Sequence, residues 1–239
     1  MDSEINRLFT EQYESNWYLK SRAEVLAAII RPLCGVGCRL VDVGAGTGAI
    51  LARVATKVAI AIEGDLNLAR VGRSGHRLPF LVADLSSGIP LSGQTADVVL
   101  SLDVFEHLVD DRAAMAEVFR ILRPGGCLVV SVPAFQSLWS RHDDLHHHKR
   151  RYSKQALLDA LAATGFACTR VTYFNSLLFP IVWASRKLEG ITRPSANDYE
   201  KPHRLLARAL GRIFRFEARI IPRWNLPVGV SLLAIATRP

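Results

Sequence analysis

The stretch Leu40–Ile50, LVDVGAGTGAI, sets an apolar run of strand length directly against three glycines in five residues, Gly44, Gly46 and Gly48. A turn that tight, running on into the helical pattern TGAILARVAT, joins a buried strand to a helix, and one such unit cannot bury its own apolar surface. Six further runs rich in Val, Ile and Leu follow: Val58–Ile62, Phe80–Ala83, Asp97–Leu102, Cys127–Val132, Ala167–Phe174 and Val230–Thr237; the first is Arg39–Val43. Between them fall the helical patterns LNLARVG, DDRAAMAEVFRIL, which ends at RPGG, and SKQALLDALAATGF, with Ser153 as N-cap and Gly165 at its end. Apolar strands separated by helices predict an α/β fold, a mostly parallel sheet with helices on both faces. The link DLSSGIPLSGQTAD between the third and fourth strands is too short and too rich in glycine and serine for a long helix.

At 239 residues, 49% of them hydrophobic, the chain predicts one main domain spanning 1–239. Two regions stand outside the alternation. The amphipathic pattern SNWYLKSRAEVLAAIIRP makes 1–37 an N-terminal helical cap, and 176–227 reads as a helical insertion between the last two strands, a lid or substrate region. The start, MDSEINRLFTEQYE, has no basic-then-apolar signal, and no run approaches the roughly 20 apolar residues of a membrane span, so a cytoplasmic enzyme is expected. Cys34, Cys38, Cys127 and Cys168 form no CxxC pair and read as small buried hydrophobes.

The net charge of +8 is concentrated late, where Arg204, Arg208, Arg212, Arg215, Arg219 and Arg223 recur every three or four positions. Leu205, Leu206, Leu210, Ile213, Phe214 and Ile220 fill the other faces of this 201–223 basic helix. It reads either as a solvated face or as a peripheral contact with a membrane or anionic substrate. No aromatic-rich basic patch accompanies it, so no nucleic-acid partner is expected.

The glycine loop by itself satisfies two cofactor classes. GAGTGA fits the nicotinamide fingerprint G-x-G-x-x-G/A through Gly44, Gly46 and Ala49, which would make an NAD(P)-dependent oxidoreductase, or a non-catalytic cofactor-binding protein. Asp42 stands in the last turn of the first strand, the second strand runs into Glu63, the third into Asp84, and DVFEHL follows the fourth.

That ordered set, with VDVGAGTG at its start and LRPGG before the fifth strand, resembles the class I S-adenosylmethionine-dependent methyltransferases over nearly the whole chain. The resemblance implies a Rossmann-like, seven-stranded, mostly parallel sheet whose last strand is antiparallel, with S-adenosylmethionine as cofactor and S-adenosylhomocysteine as product. It also implies the cofactor residues. Gly44, Gly46 and Gly48 would let backbone approach the amino acid and ribose, Glu63 would meet the ribose hydroxyls, and Asp84 with Leu85 the adenine amine, with Ala45 and Gly64 also in contact. Asp42, Leu102, Asp103 and His107 complete the set. NWYLKSR, SVPAFQSLWSRHDDLHHHKRRYSKQALLDALAATGF, YFNSLLFP and LPVGVSLLAIA are similar to a bacterial and archaeal branch of small methyltransferases, most of whose members have no assigned acceptor. In that branch a histidine is usual where Asn16 stands and a second arginine often accompanies Arg22. The expected cofactor contacts on this helix are Trp17, Tyr18 and Arg22, with Arg22 pairing the methionyl carboxylate.

A sulfonium is an activated donor, so the enzyme has mainly to align the acceptor, exclude water and, for a weak nucleophile, remove a proton. The base candidates beyond the fourth and fifth strands are Asp103, Glu106, His107, His142, Asp143, His146 and Tyr152, with Arg150 and Arg151 as partners for an anionic acceptor. No metal is expected, because the run Lys149–Arg151 stands beside the histidines and would repel a cation. The acceptor class is a small-molecule, natural-product or lipid-linked compound methylated on oxygen or nitrogen; the oligomeric state is not readable.

Overall fold

A computed structural model describes residues 16–54, 58–189 and 203–239. The ends of the expected cap and of the TGAILARVAT helix, and the middle of the 176–227 insertion, lie outside these residues. The sheet has seven strands in the order β3-β2-β1-β4-β5-β7-β6. They are β1 Arg39–Val43, β2 Val58–Glu63, β3 Phe80–Val82, β4 Ala96–Leu102, β5 Leu122–Pro133, β6 Ala167–Phe174 and β7 Ser231–Thr237. All pairings from β3 to β5 are parallel, and β7 runs antiparallel between β5 and β6.

Alternation along each strand divides the core between the two faces. Leu40 and Val129 join α1 (Trp17–Ile30), α2 (Leu51–Val54), α3 (Leu66–His76) and α8 (Arg204–Ile220) on one face. Val41, Val43, Leu128 and Val130 join α4 (Asp111–Ile121) and α6 (Lys154–Ala163) on the other. The helix starts follow local chemistry: Asn16, Asp65, Asp110 and Ser153 each cap a helix by accepting from backbone N–H groups one turn ahead. β5 begins five residues before the expected Cys127, because Pro124 and Gly125 lie within the strand, the N–H of Gly125 donating to Arg238 O at 2.8 Å.

The remaining helices, α5 (Arg141–Leu145) and α7 (Phe179–Glu189), border the carboxyl end of the sheet. α8 packs on α1, and buried Glu217 ties it to the start of the insertion: its Oε1 accepts from the N–H groups of Ser176 (2.6 Å) and Leu177 (2.7 Å). Among the described residues no helix is long and apolar enough to cross a membrane.

Candidate functional site at the carboxyl end of the sheet

The strand order reverses between β1 and β4, and in open α/β sheets ligands bind in the crevice at that point. Here β1 enters the glycine turn. The N–H groups of Gly44 and Ala45 both donate to Ile62 O, at 2.8 and 3.0 Å, which locks the turn against the end of β2. Gly44 sits at φ +72° with Val104 so close that a Cβ would stand 2.5 Å from its Cγ2. Gly46 (φ +56°) differs: a Cβ there would meet nothing within 4 Å, so the space above this backbone is open to a ligand.

Glu63 ends β2 and reaches back to the turn. Its Oε2 accepts from Gly46 N–H at 2.7 Å and its Oε1 from Asp65 N–H at 2.9 Å, which fixes the carboxylate while leaving each oxygen a further lone pair. Asp84 caps the short turn Leu85–Ser87 through Ser86 N–H at 2.9 Å, and this hydrogen bonding holds its carboxyl below the usual range. A cavity of about 650 Å³ is lined by Gly44, Glu63, Gly64, Asp84, Leu85, Asp103 and His107, among others. Seven of the residues expected at the cofactor thus surround one space. Two carboxylates and an open glycine backbone fit a ligand that carries a diol and an exocyclic amine.

A second cavity of about 460 Å³ adjoins it, and Asp103 and His107 line both. Asp103 has φ +59° at the end of β4 and is held by a buried network. Arg22 Nη2 lies 2.6 Å from its Oδ2 and 3.0 Å from Ser131 Oγ, and that hydroxyl donates to Asp103 Oδ1 at 2.8 Å. Tyr18, Arg22, His142 and His146 line this second cavity, together with Glu106, His148 and Arg186. Desolvation lowers the pKa of His107 and His146 and brings His142 down to about 4, so these imidazoles are weak bases that keep a nitrogen lone pair near pH 7.

Several expectations change. Trp17 lines neither cavity; it meets Tyr18 edge-to-face and packs beside Gly211 of α8. Arg22 and Tyr18 face the second cavity, and the partner of Arg22 is Asp103 rather than a free space for a ligand carboxylate. Leu102 and Asp42 are buried and line neither cavity. Tyr152 is no base: its hydroxyl donates to Asp111 in the core, and burial pushes its pKa up. Asp143 is no base either, because Arg151 Nε (2.8 Å), His148 Nδ1 (2.8 Å) and Arg186 Nη1 (3.1 Å) surround its fully buried carboxylate. Arg150 pairs with Asp111 at 3.0 Å, so neither arginine of that run stands as a partner for an anionic acceptor.

Arg186 and Ser131 belong to the site without having been expected there. Nothing in an apolar insertion helix marks Arg186 as facing the second cavity, and nothing in a buried strand marks Ser131 as the hydroxyl that bridges Arg22 and Asp103; only their packing does.

The comparisons with known proteins agree on the fold. The family model for a methyltransferase domain matches residues 41–130. A probable S-adenosylmethionine-dependent methyltransferase of Mycolicibacterium smegmatis is 28% identical over 156 residues, covering 64% of this chain and 60% of that protein. The malonyl-[acyl-carrier protein] O-methyltransferase of Serratia marcescens is 30% identical over 167 residues, covering 65% of this chain and 64% of that one. The chain thus spans about half to two thirds of the length of the curated relatives it matches. Among solved structures, an S-adenosylmethionine-dependent methyltransferase of Thermotoga maritima superposes with a TM-score of 0.60 at 20% identity, over 98% of this chain and 97% of that one. The methyltransferase solved in complex with the Haloferax volcanii Trm112 activator has a TM-score of 0.65 at 19% identity, covering 100% and 99%.

Proposed function

We propose that this chain, which belongs to the class I S-adenosylmethionine-dependent methyltransferases, transfers a methyl group from S-adenosylmethionine to an oxygen or nitrogen of a small-molecule or lipid-linked acceptor. The observation that carries the reading is the convergence of Gly44, Glu63 and Asp84 on one cavity that meets a second cavity at Asp103 and His107. The first holds the donor and the second the acceptor. Bound cofactor supplies an electrophilic methyl group. The chain's own part is to hold the ribose on Glu63 and the adenine amine on Asp84, and to orient the acceptor across the Asp103–His107 junction. Desolvation makes His107, His142 and His146 weak bases, so a proton released by an acceptor hydroxyl or ammonium passes to solvent.

Relatives named as a malonyl-[acyl-carrier protein] O-methyltransferase and a dimethylglycine N-methyltransferase support both acceptor atoms. Exposed Leu205, Leu206, Ile213 and Phe216 on α8, beside its arginines, favour an acceptor presented at a lipid surface.

Calorimetric titration with S-adenosylhomocysteine, with NAD as the competing ligand, tests the reading. Glu63→Gln is expected to weaken the homocysteine compound ten- to a hundredfold, about 1.4–3 kcal/mol for hydrogen bonds to a charged group. Binding of NAD in preference, or unchanged affinity in a folded Glu63→Gln, overturns it.

A further inference from the structure

The acceptor-side cavity contains a group that methyl transfer leaves unexplained. Glu106, inside the DVFEHL segment, is fully buried, and neither carboxyl oxygen has a hydrogen-bond partner. A buried polar group without a partner costs stability and calls for an account.

Imidazoles stand around it. The ligand atoms of Glu106, His107 and His148 lie within 4.8 Å of one another. Lys149 N–H donates to Glu106 O at 2.7 Å, which clamps the histidine loop onto the 3₁₀ turn after β4 and brings His148 against His107, ring centroids 4.6 Å apart. His142 and His146 line the same cavity, His146 with its ring 6.0 Å from that of His148. The arrangement behind His148 points the same way. Its Nδ1 lies 2.8 Å from Asp143 Oδ1; an ionised carboxylate only accepts, so Nδ1 carries the hydrogen and Nε2 keeps its lone pair. A carboxylate behind an imidazole in this way fixes the ring and raises its basicity as a metal ligand.

Two of the three charges in the run that argued against a cation are neutralised in the fold, and the third, Lys149, is exposed. Arg150 is paired with Asp111 and Arg151 with Asp143. Arg186 and Arg22, which also face the cavity, are paired with Asp143 and Asp103.

We infer that Glu106, His107 and His148 form a binding site for a divalent transition-metal ion of the zinc type, with a coordination position left open toward Asp103. Two imidazole nitrogens and one carboxylate suit zinc, cobalt or iron(II) and not magnesium or calcium, which take oxygen sets. Ligands about 2.1 Å from a tetrahedral ion stand about 3.4 Å apart, so closing the observed set needs side-chain shifts of about an ångström. The ion site stands on these residues alone. Its use rests on the methyl-transfer reading: an acceptor hydroxyl on the open position would release its proton to solvent, its oxygen pair forming the bond to the methyl carbon as the carbon–sulfur pair returns to sulfur.

The test is titration of chelator-treated full-length protein with Co²⁺, read by the visible absorption of the bound ion, and with Zn²⁺ by calorimetry. One ion per chain is expected, with affinity lowered at least tenfold in Glu106→Gln and in His148→Ala and unchanged in His147→Asn, which alters an exposed neighbour. Circular dichroism checks each fold, and half-buried His107→Ala replaces any variant that fails. No binding by the wild-type chain, or equal binding by folded Glu106→Gln, overturns the site. Stoichiometric Co²⁺ binding without S-adenosylhomocysteine binding would keep the ion site and sink the methyl-transfer reading instead.

Discussion

Asp42 shows how one residue in the fingerprint carries a physical load separate from ligand contact. It is 2% exposed, and burial, reinforced by the neighbouring charge of Glu63, pushes its carboxyl up to about 7. A folded-state pKa above the unfolded value near 4 means that its stabilising contribution is complete below about pH 4 and is lost as pH rises through 7. Asp42→Asn removes the titration and keeps the shape. Its melting temperature, measured without ligand, is therefore expected to gain on the wild type between pH 5 and pH 8. The ceiling is about 4 kcal/mol, on the order of several degrees for a chain of this size. A constant difference across that range would show that Asp42 does not titrate there. The hydrogen bonds by which Glu63 holds the glycine turn also fix its carboxylate, which on the proposed reading meets the diol.

At the scale of elements, the segment from α5 to the start of α6 is organised around Asp143. Its carboxylate joins the Arg151 guanidinium after α5, the ring of His148 and Arg186 of α7. Removing one member of such a buried set leaves charges without partners, and Asp143→Asn is expected to destabilise by about 3–5 kcal/mol in chemical denaturation. A loss under 1 kcal/mol would mean that the loop holds its place without the pair. Sequence patterning located the elements well because strand and helix periods are local properties. β1 and β6 match their expected bounds, and the helix after β4 begins and ends within a residue of expectation. The helix after the glycine turn starts at Leu51, later than the expected TGAILARVAT, since Gly46 and Gly48 keep left-handed backbone before it.

Across the whole molecule, the insertion packs against the helix that precedes β1 and contributes one side chain to the second cavity. α8 covers α1, and α7 delivers Arg186 to the acceptor side. The outward surface of α8 and the following turn leaves Leu205 66% and Trp224 70% exposed among arginines. If the acceptor is lipid-linked, flotation with vesicles containing anionic lipid is expected to carry the chain upward. Leu205→Glu with Phe216→Glu should abolish that at constant fold. No flotation with anionic vesicles would favour a freely soluble acceptor.

By itself the sequence determined the sheet, the order of its glycine turn and acidic strand ends, and from these the proposed cofactor side, since each of those features sits within a few residues of a strand end. The tertiary structure alone decided which charged groups are free to act. Arg151 and Asp143 stand eight positions apart in a run that reads as loose charge, yet they neutralise each other inside the protein, while Glu106 is left without a partner beside two imidazoles. Pairing of charges depends on distances between segments that no local pattern encodes. The acceptor side was therefore legible as a list of candidates and became a site only in the fold.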